Sequence, residues 1–121
     1  MARSEPLPDP RRGEVWQIQF DPIEGAEVGK TRPAVVMNIP AVGRLPLRMV
    51  VPVTGWKNHW ATTPWLIHVR PGKRNGLTKP SAADAFQTKS LSIERFQKRL
   101  GVLRADEVEQ IAAAICLCVG A

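Results

Sequence analysis

The chain has 121 residues and a net charge of +6, from 17 Lys and Arg against 11 Asp and Glu. That length fits one domain able to bury roughly two-thirds of its unfolded surface, so stability requires neither disulfides nor a structural metal. The positive excess favours a polyanionic partner such as nucleic acid, and the absence of any apolar run near the roughly 18 residues of a membrane span, or of a signal-peptide core, points to a cytoplasmic protein without a membrane partner.

Residues 1–11 hold three of the eleven prolines and few apolar side chains, which predicts a loose tail ahead of one domain over 12–121. Glu14 to Phe20 then sets Val15, Ile18 and Phe20 against Gln17 and Gln19 with Trp16 out of phase, which fits a strand carrying a bulge or twist. Asp21 to Thr31 is rich in turn formers. Pro33 biases Arg32 toward extended geometry, so a second strand over Ala34 to Asn38 opens on a fixed cation. Leu45 to Thr54 is almost continuously apolar, as expected of a strand buried on both faces or at a subunit contact, while Pro46 and Pro52 argue for an edge or bulged position.

Trp65 to Val69 and Ala82 to Leu91 supply further short strands, with a turn-rich loop from Pro71 to Gly76 between them. Five or six short strands suggest a small barrel. Ser92 to Gln97 reads as a brief helix. Ala105 to Val119 reads as a longer one whose buried face is Val108, Ile111, Ala112, Ile115 and Val119, with Asp106 and Glu107 at its positive end and Gly120 at its stop. Cys116 and Cys118 are badly spaced for a mutual bridge or a zinc site and read as packing thiols.

Four blocks, Arg12-Gly-Glu-Val-Trp16, Gly29-Lys-Thr-Arg-Pro-Ala-Val-Val36, Val51-Pro-Val-Thr54 and Leu100-Gly-Val-Leu103, together resemble the MazF/PemK toxin family over about residues 12 to 119. The resemblance implies a mainly β fold with one C-terminal helix, an SH3-like barrel of the MazF/PemK/CcdB type, assembled as a homodimer. It further implies the toxin of a type II toxin-antitoxin system, an endoribonuclease needing no metal or cofactor. Such an enzyme cuts single-stranded RNA, mRNA above all, to a 2′,3′-cyclic phosphate and a 5′-hydroxyl, and so inhibits translation. A cognate antitoxin would restrain it, and operator DNA would be met only through the antitoxin complex.

Cleavage of RNA by its own 2′-hydroxyl needs a proton acceptor there, a donor for the leaving 5′-oxygen and positive donors around the phosphorane. The fork of Arg32 suits the last need, unless it is spent on Glu14, Asp21 or Glu27. Thr54 ends its strand beside Gly55, and the resemblance pairs it with Arg32 as the catalytic residues. A guanidinium is a poor proton acceptor, which leaves the base unassigned.

Lys30, Trp56, Lys57, His59, Gln87 and Lys89 are the candidate RNA contacts. Trp56, Lys57, His59 and Trp60 form a basic aromatic loop on which bases could stack, or whose rings cap the barrel end. Gln87 could read a base, but Phe86 stands where family members carry an acid directly before that Gln, so Asp84 is a doubtful proton carrier. His68 within a strand reads as structural, and Arg70, Lys73, Arg74 and Lys79 as a solvated basic loop with phosphate tracking as the alternative. Two rivals stand beside the nuclease: a non-catalytic binding barrel, and a gyrase-poison toxin of the same fold. The latter's Trp-Gly-Ile tail is absent from Cys118-Val-Gly-Ala121.

Overall fold

A computed structural model describes residues 6–20, 31–42 and 46–121. Among these residues are seven strands: β1 (Glu14–Gln19), β2 (Thr31–Val36), β3 (Leu47–Gly55), β4 (Leu66–Val69), β5 (Ser81–Asp84), β6 (Lys89–Ser92) and β7 (Phe96–Val102). One helix, α1 (Ala105–Val119), follows them. Every ladder is antiparallel, in the order β4-β5-β3-β2-β1-β7, with β6 alongside the first half of β3.

β3 is therefore central rather than an edge strand, and Pro52 has another explanation. Met37 N donates to Met49 O, and ladder bonds recur every second residue, so the nitrogen of Pro52 faces away from β2. On that other side β6 stops at Val50 and β5 starts at Val53. The missing donor thus falls where the partner strand changes and no bond is lost.

The sheet has two buried faces. Val15, Val35, Val51 and Val53 pack with Leu103, Val108 and Ile111 under α1, while Ile18, Ala34, Val36 and Val50 pack with Leu91, Ile93 and Phe96. This corrects the phase expected in β1. Trp16 lies with Ile18 and Phe20 on the second face, edge-on to Phe96 at 5.7 Å, and Val15 is the residue that points the other way. The expected irregularity is real: register shifts against β7 occur at Val15/Trp16 and at Gln17/Ile18.

The helix expected over Ser92 to Gln97 shrinks to a single 3₁₀ turn, Ile93–Arg95, started by the Ser92 hydroxyl accepting from Glu94 N. Phe96 then opens β7 opposite Ile18, because burying its ring outweighs the local helical signal. α1 keeps its expected bounds: Glu107 accepts from Arg104 N at its start, and Gly120 turns left-handed at φ 75°. Val119 departs from the expected face at 74 % exposure, since nothing packs across the last turn, and Cys116 is likewise exposed rather than packed.

The expected barrel is not closed by strand pairing among the described residues, for no ladder joins β4 to β7. The loop from Arg70 to Leu77 crosses between them instead. Buried Asn75 pins it by accepting from Gly72 N and Leu77 N and donating to Arg70 O. Arg74 O accepts from Val102 N at 2.9 Å, so a loop carbonyl supplies the bond that a closing strand would have made.

Candidate functional site

β2 and β3 separate just where their functional candidates lie. Their last paired residues are Ala34 and Pro52, and continuing that register two places brings Arg32 level with Thr54. Both line one open cleft of about 480 Å³, walled by Gln17, Thr31 and Pro33 on one side and by Gly76 to Lys79 and Ser81 on the other. Arg32 is exposed and, among the described residues, its side chain makes no hydrogen bond or ion pair.

Of the three carboxylates weighed as its partner, Asp21 and Glu27 lie outside the described residues. Glu14 is committed elsewhere: it accepts from Arg11 N at 2.8 Å, from Trp16 Nε1 at 3.0 Å and from Arg99 Nε at 2.9 Å. Burial alone would raise its carboxyl, but the bonds from Trp16, Arg11 and Arg99 together outweigh burial and hold it below the ordinary 4.5. A carboxylate depressed in the fold contributes stability above its unfolded pKa and loses it as pH falls through the folded value. Glu14→Gln should therefore be less stable than the parent at pH 7, and the gap between their urea midpoints should narrow as pH falls below the ordinary glutamate range. A pH-independent gap would show that the charge of Glu14 contributes nothing.

Lys79, which the sequence offered as part of a solvated loop with phosphate tracking as the alternative, lines this cleft. Pairing of Gly55 with Ser81 lays that segment along the end of β3, with Trp56 N donating to Pro80 O and the Ser81 hydroxyl to Lys79 O. The Lys79 ammonium consequently lies 3.4 Å from where a Cβ on Gly55 would stand. Arg70 and Arg74 instead line a separate cleft with His68 and Arg104.

The remaining candidates do not converge on Arg32 and Thr54. Trp56 stacks on His68 at 4.3 Å, Trp60 meets it edge-on at 6.2 Å, and the Lys57 ammonium sits 5.4 Å from the centre of the Trp60 ring. These rings largely engage one another, and exposed His59 only touches Trp60 edge-on. Asp84 Oδ1 accepts from Phe86 N, and its Oδ2 accepts from Gln87 Nε2 at 2.8 Å. The acid thus orients the glutamine. Lys89 reaches 5.4 Å from the Phe20 ring centre. Lys30 lies outside the described residues.

A guanidinium, an ammonium and several hydroxyls around an open cleft suit a phosphodiester. Among the described residues that line it there is no carboxylate and no imidazole. The cleft can therefore neutralise a phosphorane far better than it can accept a proton.

Residues 11–119 match the family model described as the PemK-like, MazF-like toxin of type II toxin-antitoxin systems. The endoribonuclease MazF9 of Mycobacterium tuberculosis is 33 % identical over 113 residues, spanning 88 % of this chain and 93 % of that protein. Among solved structures, the MazE-MazF crystal form II from Deinococcus radiodurans superposes with a TM-score of 0.74 at 23 % identity, covering 96 % of this chain and 98 % of that one. An endoribonuclease with its cognate antitoxin from a mycobacterial species superposes at 0.71 and 19 % identity, covering 93 % and 96 %. At such identities the superpositions speak for the fold, a mainly β sheet with a C-terminal helix.

Proposed function

The chain belongs to the PemK-like, MazF-like toxin family of type II toxin-antitoxin systems, and from that premise we propose how its cleft acts on RNA. The protein is the toxin of such a pair and an endoribonuclease. Its substrate is single-stranded RNA, mRNA foremost, cut in a sequence-selective and metal-independent reaction. The observation that carries this reading is an unpartnered Arg32 level with Thr54 in one solvent-open cleft.

In the reaction the 2′-oxygen bonds to phosphorus and the bond to the 5′-oxygen breaks, leaving a 2′,3′-cyclic phosphate and a 5′-hydroxyl. Arg32 holds two non-bridging oxygens as their charge grows, and the Thr54 hydroxyl donates to the same phosphate. Such donors act mainly in the transition state, and removing one typically costs about 3 to 4 kcal/mol. The proton of the 2′-hydroxyl must leave as the bond to phosphorus forms and the 5′-oxygen must gain one as it departs, transfers that the guanidinium of Arg32 is poorly suited to begin. Trp56, Lys57, His59, Gln87, Lys89 and Lys30 then serve as contacts for the strand beyond the cut, outside the catalytic pair.

The proposal extends to the assembly. A homodimer would cover Leu117, Leu47 and Met49, which are 53 %, 41 % and 38 % exposed. The +6 charge suits an acidic, partly disordered cognate antitoxin, through which alone operator DNA would be met. We read residues 12–121 as the toxin domain, an SH3-like barrel whose open side is spanned by the Arg70 to Leu77 loop, and 1–11 as a leading tail. No helix among the described residues is long and apolar enough to cross a membrane, and a cytoplasmic toxin fits the mRNA target.

The deciding experiment incubates the purified protein with mixed-sequence single-stranded RNA in EDTA and maps the ends. Cyclic-phosphate and 5′-hydroxyl ends are expected, from a species with the mass of two chains by light scattering. Intact RNA under conditions where an active relative cuts would overturn the nuclease reading, and cleavage lost only in EDTA would overturn metal independence.

A further inference from the structure

We propose that Lys79 is the second phosphate-binding cation of this cleft, lying over Gly55 beside Thr54; the inference rests on reading the cleft as the site of RNA cleavage. Gly55 follows Thr54 in β3, and the end of the lysine stem lies over it, within van der Waals reach of where a Cβ would stand. Its Nζ, Cε and Cδ are 3.4, 3.5 and 4.0 Å from the position of a Cβ at residue 55. The stem occupies the space that a larger residue at 55 would fill.

The backbone of this segment is fixed. Ser81 is buried, pairs with Gly55 in the ladder, and donates its hydroxyl to Lys79 O at 2.8 Å. Trp56 N donates to Pro80 O at 3.0 Å from the other side. Lys79 therefore enters the cleft from the segment leading into β5 while Arg32 enters from β2, with Thr54 on the strand between them. Among the described residues it makes no ion pair, so its charge is available to a ligand.

A phosphodiester carries one negative charge and the phosphorane formed from it carries two. One guanidinium matches the first, and a second cation on the opposite wall is complementary to the second, which is where differential stabilisation arises. Lysine serves here as a point charge rather than a fork.

The test measures cleavage of mixed-sequence single-stranded RNA by the wild type, Arg32→Ala, Lys79→Ala, Lys79→Arg and Lys73→Ala across a salt series. Lys73 lines neither cleft, so its variant removes the same net charge elsewhere. We expect Lys79→Ala to lower kcat/KM by about ten- to a hundredfold and to make its log-log salt dependence shallower by about 0.7, the increment for one phosphate contact on a single strand. Lys79→Arg should recover most of the rate, and Lys73→Ala should stay within about twofold of the wild type at physiological salt. Rate and slope equal for the Lys79→Ala and Lys73→Ala proteins, with Arg32→Ala inactive, would overturn this inference alone. A wild type that leaves RNA intact would overturn the nuclease reading and this inference with it.

Discussion

Arg32→Ala is expected to reduce RNA cleavage by at least two to three decades while leaving the urea unfolding midpoint where it was. The two halves of that expectation have separate causes. The rate falls because the guanidinium is the one forked donor among the described residues that line the cleft, and without it much of the phosphorane's compensating charge must come from water. Stability holds because Arg32 is exposed near the start of β2 and, among the described residues, its side chain makes neither an ion pair nor a hydrogen bond. Cleavage at the wild-type rate would refute the assignment. A large fall in the unfolding midpoint would show instead that Arg32 is a structural residue, and the lost rate would then say nothing about phosphate.

Gly101→Ala is expected to have a large effect on folding. Gly101 sits in β7 opposite Val15, and a Cβ there would stand 2.2 Å from Arg74 O and 2.6 Å from the Asn75 carbonyl carbon. Both are backbone atoms of the loop that spans the open side of the sheet, and buried Asn75 anchors that loop, so neither can yield cheaply. A loss of about 3 kcal/mol or more is the usual scale for forced overpacking at a rigid backbone. Gly72→Ala is the internal comparison, because a Cβ at that position meets nothing within 4 Å. Equal urea midpoints for the two variants would mean that the crossing loop is softer than its hydrogen bonds imply. The same loop leads through Gly76 and Leu77 to Lys79, so Gly101→Ala should also lose cleavage wherever it loses stability.

Much of the site was legible in advance, and the reason is local. Pro33 restricts Arg32 to extended geometry, Gly55 marks the end of an apolar run after Thr54, and the blocks carrying these residues keep a spacing that resembles one family. α1 was readable from its 3.6-residue period and its terminal residues, which act within a few positions along the chain. β7 was missed because Phe96 follows a short polar stretch that favours a turn, and only its burial against Ile18 and Trp16 makes a strand of it. Trp16 was assigned the wrong face for a related reason. Alternation identifies one buried face, whereas this sheet buries both, so Val15 and Trp16 are neighbours that both point inward toward different cores.

By itself the sequence determined the family, the mainly β class, the C-terminal helix, and the placing of a cation at a loop–strand junction and a hydroxyl at a strand end. Each follows from contacts between residues close in the chain, whose turn chemistry and periodicity are set within a few bonds. The tertiary structure alone decided that Arg32 stands level with Thr54, that Glu14 belongs to Arg99 and Trp16, and that Lys79 lies over Gly55 at the same cleft. Those outcomes depend on strand register and on a loop crossing an open sheet, and register is fixed only when both faces of the sheet find the side chains that fill them.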